Sequence, residues 1–457
     1  MGVMVLGVDE ISMTRWGCHE KFIDFLNASK ICHEFVIEFT HHGGMEKSEV
    51  NAIVLEDYPA FRPSMRIAVV TETWPPEVNG VAVTLAKLVQ GLCLRNHDVQ
   101  LIRPRQTSGD QAAHDPGFEE VLMRGMPIPR YPELKLGLPS KKNLIKAWTL
   151  RRPDVVHIAT EGPLGWSALQ AAKVLKLPVT SDFRTNFHSY SQHYGVGWLR
   201  KPIVAYLRKF HNATACTMVP TQGLQAELSQ HGFLNLKVVA RGVDTQLFNP
   251  AKRSEALRRS WQAGPDTVVL ISVGRLAVEK NLGQVMATYE ALRSVGADVK
   301  LVLVGDGPMR GQIQQRCPDA IFAGMLSHDK LANYYASADL FLFPSQSETF
   351  GNVTVEALAS GLPVLAFDCA AASDWVKPDV NGWLIPETQP EMYVTTAVRV
   401  VQSASTLARV AATTRAQVGQ LDWQEIAEQV EGVLMAAIDN APDQRSVLRE
   451  WVQRLTV

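Results

Sequence analysis

The 457-residue sequence predicts an α/β protein of two doubly wound units facing one another across a cleft, and three observations predict it. At 46% hydrophobic, the chain is longer than one ordinary core accommodates and has apolar material for two domains of roughly 180 to 200 residues. Short β-branched runs alternate with helix-patterned segments, as parallel strands covered on both faces do. That alternation stops in a polar stretch carrying Pro250 and Pro265, then restarts.

Taken in order, residues 66–71 (RIAVVT) form the first apolar run. Pro75, Pro76 and Asn79-Gly80 end it, and a helical pattern follows from Val81 to about Asn96. Strand-like runs recur at 99–104 (VQLIRP), 154–159 (DVVHIA), 178–183 (PVTSDF) and 216–220 (CTMVP). After the polar stretch 241–266 come 267–274 (TVVLISVG), 299–305 (VKLVLVG), 320–325 (AIFAGM), 339–344 (DLFLFP) and 363–367 (PVLAF). A linker therefore falls near 244–266. From Trp423 the chain reads as helical and ends in the amphipathic VLREWVQRL. The expected domains are 65–243 and 244–425, with a helical segment at 426–457. Residues 1–64 lack the rhythm and are read as an N-terminal extension; their His41-His42-Gly43-Gly44 has no companion at metal-ligand spacing and is assigned no chemistry.

A formal net charge of -1 and a pI near 6.9 give no global basic field, so no nucleic-acid partner is expected. Cys18, Cys32, Cys93, Cys216, Cys317 and Cys369 are scattered without a C-x-x-C pair, which fits a reducing, cytoplasmic setting better than a disulfide frame or a zinc site. No apolar run approaches the roughly 18 to 20 residues that span a bilayer, and Met1–Leu6 has neither the basic flank nor the length of a signal peptide.

Candidate chemistry gathers where the second unit's strands end. Gly274-Arg275-Leu276 and Glu279-Lys280-Asn281 follow one strand, Gly305-Asp306-Gly307-Pro308 another, and Ser345 to Gly351 a third, so all are expected on one rim. Arg275 offers a planar fork for phosphate oxygens and Lys280 a point charge five residues on, and together they would neutralise a diphosphate without a metal. An ordinary surface pairing of these cations with Asp306 or Glu279 is the plain alternative. Glu348 and Glu356 flank a small-residue turn before a helix. The first would reach sugar hydroxyls, the second would accept both hydroxyls of a ribose, and the Phe350, Gly351 and Asn352 amides at the helix start would hold phosphate or sugar oxygens. A nicotinamide-dependent oxidoreductase is disfavoured, because Arg310 stands where the third glycine of G-x-G-x-x-G belongs.

Together P-S-x-S-E-T-F-G-x-x-x-x-E-A-x-A-x-G-x-P-V, G-R-L-x-x-E-K-N, V-G-D-G-P and T-E-T-W-P-P-E-V-N-G-V resemble glycosyltransferase family 4, over roughly residues 65 to 440. The resemblance implies the GT-B fold, two Rossmann-like domains about a cleft, and a retaining transfer of a hexose from a UDP- or GDP-linked sugar to a hydroxyl, with no metal. It implies that Arg275, Lys280 and Glu348 are catalytic. It further implies donor binding by Gly80, Val81, Gly274, Gly307, Met325, Phe350, Gly351, Asn352 and Glu356, with Asn79 beside the phosphate and the acceptor.

One position departs from the pattern: Arg184 stands where many relatives carry a histidine, and arginine cannot act as a base at neutral pH. Asp182, Arg184 and His188 are therefore candidate sugar or acceptor contacts. The run SDFRTNFHSYSQHYG looks most like members that glycosylate lipids, which makes a lipid or lipid-linked saccharide the first acceptor and a soluble saccharide the second. Two basic stretches, 130–152 and 198–211, suit either an anionic membrane surface on the inner face or a solvated helix. A nucleotide-sugar-binding protein without turnover is the rival reading.

Overall fold

The computed structural model describes residues 64–77, 80–107, 109–128, 131–184, 200–416 and 418–441. Residues 1–63, Asn79, His188 and the amphipathic tail lie outside the described residues.

The first sheet holds β1 (Arg66–Val70), β2 (Asp98–Pro104), β3 (His114–Asp115) and β4 (Phe118–Met123). β5 (Gly125–Ile128) and β6 (Tyr131–Gly137) form a separate antiparallel pair. β7 (Val155–Ile158), β8 (Val179–Asp182), β9 (Cys216–Val219) and β10 (Leu236–Val238) complete the sheet, in the order β10-β9-β8-β7-β1-β2-β4-β3. Its neighbours run parallel except β3 with β4.

The second sheet comprises β11 (Val268–Val273), β12 (Val299–Val304), β13 (Ile321–Gly324), β14 (Leu340–Phe343), β15 (Val364–Phe367) and β16 (Gly382–Ile385). All are parallel, in the order β13-β12-β11-β14-β15-β16. From β11 the chain winds outward to β13, then returns to start β14 on the other side. Such a reversal opens a crevice at the carboxyl ends of the two central strands.

Burial follows from composition. β1, β11, β12 and β14 are buried along nearly their whole length, because helices cover both faces. The helix Gly80–Leu94 inserts Leu85, Leu88, Val89 and Leu92, at helical spacing, into the first core. Each such side chain stabilises the fold by about 1.5–3 kcal/mol. Every run read as a strand from sequence is one, so the doubly wound α/β class stands.

The last helix begins at Trp423, where the sequence turns helical, and crosses the boundary drawn at 425/426. It runs Trp423–Asp439 without a break and packs on the first unit. Ala427 lies against Gly91, where an added Cβ would come within 2.8 Å, and the Trp423 ring covers Gly242. Glu431 accepts from Arg95 Nε at 2.8 Å and meets the buried His97 Nε2 at 2.9 Å.

Candidate active site

Backbone contacts fix the rim. Gly274 N donates to Val304 O at 3.0 Å, Leu276 N to Asp306 O at 2.9 Å, and Gly305 N to Gly324 O at 2.8 Å, so three strand ends are stitched edge to edge. Glycine is required there: at Gly305 (φ 124) a Cβ would lie 2.0 Å from Gly274 O, and at Gly307 (φ 158) 2.5 Å from Leu276 O. Across the crevice, Gly351 (φ 89) turns the chain from β14 into the helix Asn352–Ala359.

Of the second unit's predicted catalytic residues, the structure brings Lys280 and Glu348 into contact. Lys280, closing the turn Val278–Lys280, pairs with Glu348 Oε1, and Ser345 Oγ donates to the same oxygen at 2.8 Å. Ser347 Oγ donates to Glu279 O at 3.2 Å, tying the two loops. Arg275 takes the plain alternative: it meets Glu279 at 3.2 Å with two-thirds of its side chain exposed. Asp306 pairs with Arg310 instead, at 3.3 Å. Met325 follows β13 with its side chain exposed, and Val81 lies in the first turn of the helix that Gly80 opens.

Glu356 is held in the helix beneath Gly351, and burial pushes its carboxyl up to about 7 although the Tyr335 hydroxyl donates to it at 3.2 Å. Asn352 Oδ1, in the helix's first turn, is buried without a hydrogen-bond partner among the described residues.

On the first unit's rim, Arg184 Nε donates to Asp182 Oδ2 at 2.9 Å, and His157 Nε2 lies 3.5 Å from the same oxygen. Although burial works against ionisation, these partners hold the Asp182 carboxyl well below the usual carboxylate range. Arg241, which no motif singled out, enters the cleft between β10 and the second unit. Its guanidinium stacks over the Phe350 ring, 5.8 Å from the centroid. Desolvation, with Arg184 nearby, lowers its pKa to about 10. Asp182, Arg184 and Arg241 line a cavity of about 40 Å³. Among the described residues no three His, Cys, Asp or Glu side chains cluster as metal ligands do, and no helix is long and apolar enough to cross a membrane.

Two doubly wound units with this loop arrangement at the carboxyl strand ends define a GT-B glycosyltransferase. The family model for Glycosyltransferase Family 4 matches residues 78–247, and that for Glycosyl transferases group 1 matches residues 267–403. A GDP-mannose-dependent alpha-mannosyltransferase of Corynebacterium glutamicum is 35% identical over 330 residues, covering 71% of this chain and 77% of that one. An alpha-monoglucosyldiacylglycerol synthase of Streptococcus pneumoniae is 27% identical over 317 residues, covering 66% and 71%. Among solved structures, the sucrose-phosphate synthase of Thermosynechococcus elongatus superposes with a TM-score of 0.65 at 19% identity, over 81% of this chain and 98% of that one. The chain belongs to glycosyltransferase family 4, and it is a hexosyltransferase.

Proposed function

We propose that the protein moves mannose from GDP-mannose to a hydroxyl of a lipid or lipid-linked saccharide, with the anomeric configuration kept. The observation that carries this reading is the Lys280–Glu348 pair at the crevice between β11 and β14. The donor's diphosphate would take Lys280 from Glu348 and draw in the exposed Arg275, leaving Glu348 to accept a sugar hydroxyl. Gly274 and Gly307 keep the floor free of side chains, so that phosphate oxygens approach the backbone. The amides of Phe350, Gly351 and Asn352 face the donor from the helix start, and the orphan Asn352 oxygen would accept a hydroxyl. Glu356 would hold the ribose, and the main chain at Met325 would meet the base. Gly80 and Val81 would approach phosphate and acceptor from the first unit.

The chemistry then follows from charge. As the glycosidic bond lengthens, negative charge grows on the leaving diphosphate while the sugar becomes cationic. Cations fixed in place stabilise that state more than the ground state, and removing one such group typically costs 10²- to 10³-fold in rate, about 2.7–4 kcal/mol.

The relatives' names supply donor and acceptor: GDP-mannose from the bacterial mannosyltransferase, a glycerolipid from the diacylglycerol synthase. In the helix Arg200–His211, Lys201, Arg208 and Lys209 are exposed beside Tyr206, a surface suited to the anionic inner face of a membrane. The test is nucleoside diphosphate release from GDP-mannose and UDP-glucose, with lipid and soluble acceptors supplied in parallel. Release from GDP-mannose only when lipid is present supports the reading. Binding without release for every acceptor would make the protein a silent nucleotide-sugar binder.

A further inference from the structure

We propose that Arg184 and Arg241 form an anion subsite on the first unit's side of the cleft, for a phosphate, sulfonate or carboxylate carried by a substrate. This rests on the glycosyl-transfer reading above and adds a charge requirement to it.

The argument begins with backbone. Val239 N donates to Val219 O at 2.9 Å, and Val243 N to Leu421 O at 2.7 Å, so the segment carrying Arg241 is pinned on both sides. Gly242 is held under the Trp423 ring, where a Cβ would come within 2.5 Å. Arg184, two residues beyond the end of β8, is fixed by Asp182. Arg184 and Arg241 therefore hold rigid positions in the wall of the cavity, whose remaining lining, Asp182 and Thr84 apart, is apolar.

Charge supplies the second step. The groups acting on Arg241 are Arg184, Asp182 and Glu348. Asp182 is taken by Arg184 and His157, and Glu348 by Lys280 and Ser345. Three cations, Arg184, Arg241 and Lys280, thus share two carboxylates, Asp182 and Glu348, which leaves one positive charge over. Among the described residues Arg241 has no ion pair, only the face of Phe350. A desolvated guanidinium without a counter-charge is costly, and its planar fork matches an oxyanion. The cavity, at about 40 Å³, exceeds the roughly 10–15 Å³ that one water needs, so it takes a small polyatomic group.

The anion has two possible carriers, the acceptor and the donor, and kinetics separates them. With GDP-mannose as donor, wild type, Arg241→Gln, Arg184→Gln and Arg241→Lys are compared on a neutral alkyl mannoside and on its 6-phosphate and uronic acid counterparts. The expected result is that Arg241→Gln lowers the preference for anionic over neutral acceptors at least tenfold, and that Arg241→Lys restores part of it. A rise confined to the KM for GDP-mannose keeps the subsite and assigns its anion to the donor. Equal losses on neutral and anionic acceptors with unchanged donor KM, or no change at all, overturn it. Calorimetric titration of the full chain with inorganic phosphate reads the subsite without turnover: Arg241→Gln should weaken binding at least tenfold in a Lys280→Ala background, and unaltered binding overturns the proposal. Failure of the transfer reading shows differently, as GDP-mannose binding to the wild type without GDP release on any acceptor.

Discussion

On the second unit's rim Lys280 lies against Glu348 and Arg275 against Glu279, whereas on the first unit's rim Arg184 takes Asp182 and, among the described residues, Arg241 has only an aromatic face. The difference separates two ways of holding a cation for use. A paired cation is kept in place at little electrostatic cost and must exchange its acid for the ligand, so the acid competes with binding. An unpaired cation is costly at rest and strengthens binding without that competition. Neutralising the paired acid on the second rim should therefore tighten anion binding, whereas removing the unpaired cation on the first should weaken it.

The strongest test of the paired rim is Lys280→Ala, for which kcat/KM with GDP-mannose should fall 10²- to 10³-fold, about 2.7–4 kcal/mol of lost transition-state stabilisation. Glu348→Gln should cut turnover at least tenfold while tightening GDP, because the competitor for Lys280 has lost its charge. Steady-state rates and calorimetry give both numbers. GDP binding weakened by Glu348→Gln would show that the pair does not compete with the ligand.

The rim's backbone stitching gives the next largest effect. Gly305→Ala would push a methyl to 2.0 Å from Gly274 O at φ 124, and should destabilise by about 3 kcal/mol in denaturant titration. Gly283→Ala adds a methyl to open space near the start of the helix Leu282–Ser294 and should change stability by less than about 1 kcal/mol. Equal effects would mean that the stitched loops yield to the added methyl.

The second unit was almost fully legible in sequence because each of its loops follows an unbroken apolar run, so local pattern placed both strand and rim. β16 escaped, because it starts on Gly382 and leaves an apolar run of only Trp383, Leu384 and Ile385. The first unit was less legible. β4 carries Glu119 and Glu120, and Glu120 is buried only because Arg103 reaches it, Nη2 to Oε2 at 2.9 Å, an arrangement no periodicity reveals. His97 and Glu431 lie 334 positions apart, so the return of the last helix to the first unit left no local sign. Arg241 was missed for a related reason. In R-G-V-D it reads as any surface arginine until the fold seats it against Phe350.

pH sharpens the comparison at the ribose end. In the proposed donor pose ribose hydroxyls donate to Glu356, so binding favours its ionised form, whereas burial in the free protein raises its carboxyl to about 7. Protonation competes below that value, and donor affinity should fall about tenfold per unit as pH drops under 7. Stability of the free protein runs the other way. A folded pKa above the unfolded one means that the folded state holds the extra proton between about 4.5 and 7, so stability declines as pH rises through that window. Glu72, also raised to about 7 by burial, adds the same trend to stability but touches no predicted donor group. Glu356→Gln should flatten the pH profile of donor affinity, and a profile unmoved by it would release Glu356 from the ribose.

Tyr335→Phe probes the same carboxyl with the smallest expected effect. The Tyr335 ring packs edge-on against Phe248 and Phe341, with centroids 5.9 and 5.7 Å away, and phenylalanine keeps that packing. What is lost is the hydroxyl that donates to Glu356 Oε2 at 3.2 Å and favours its ionised form. Without that hydrogen bond, worth about 1 kcal/mol, the carboxyl should titrate at a higher pH. Donor affinity at pH 7 should then weaken a few-fold, and the loss should shrink at pH 8.5, where the carboxyl is ionised with or without the tyrosine. A loss of equal size at both pH values would mean that Tyr335 shapes the pocket rather than tuning the acid, and the contrast between charge held by pairing and charge held by burial would no longer extend to the ribose end of the site.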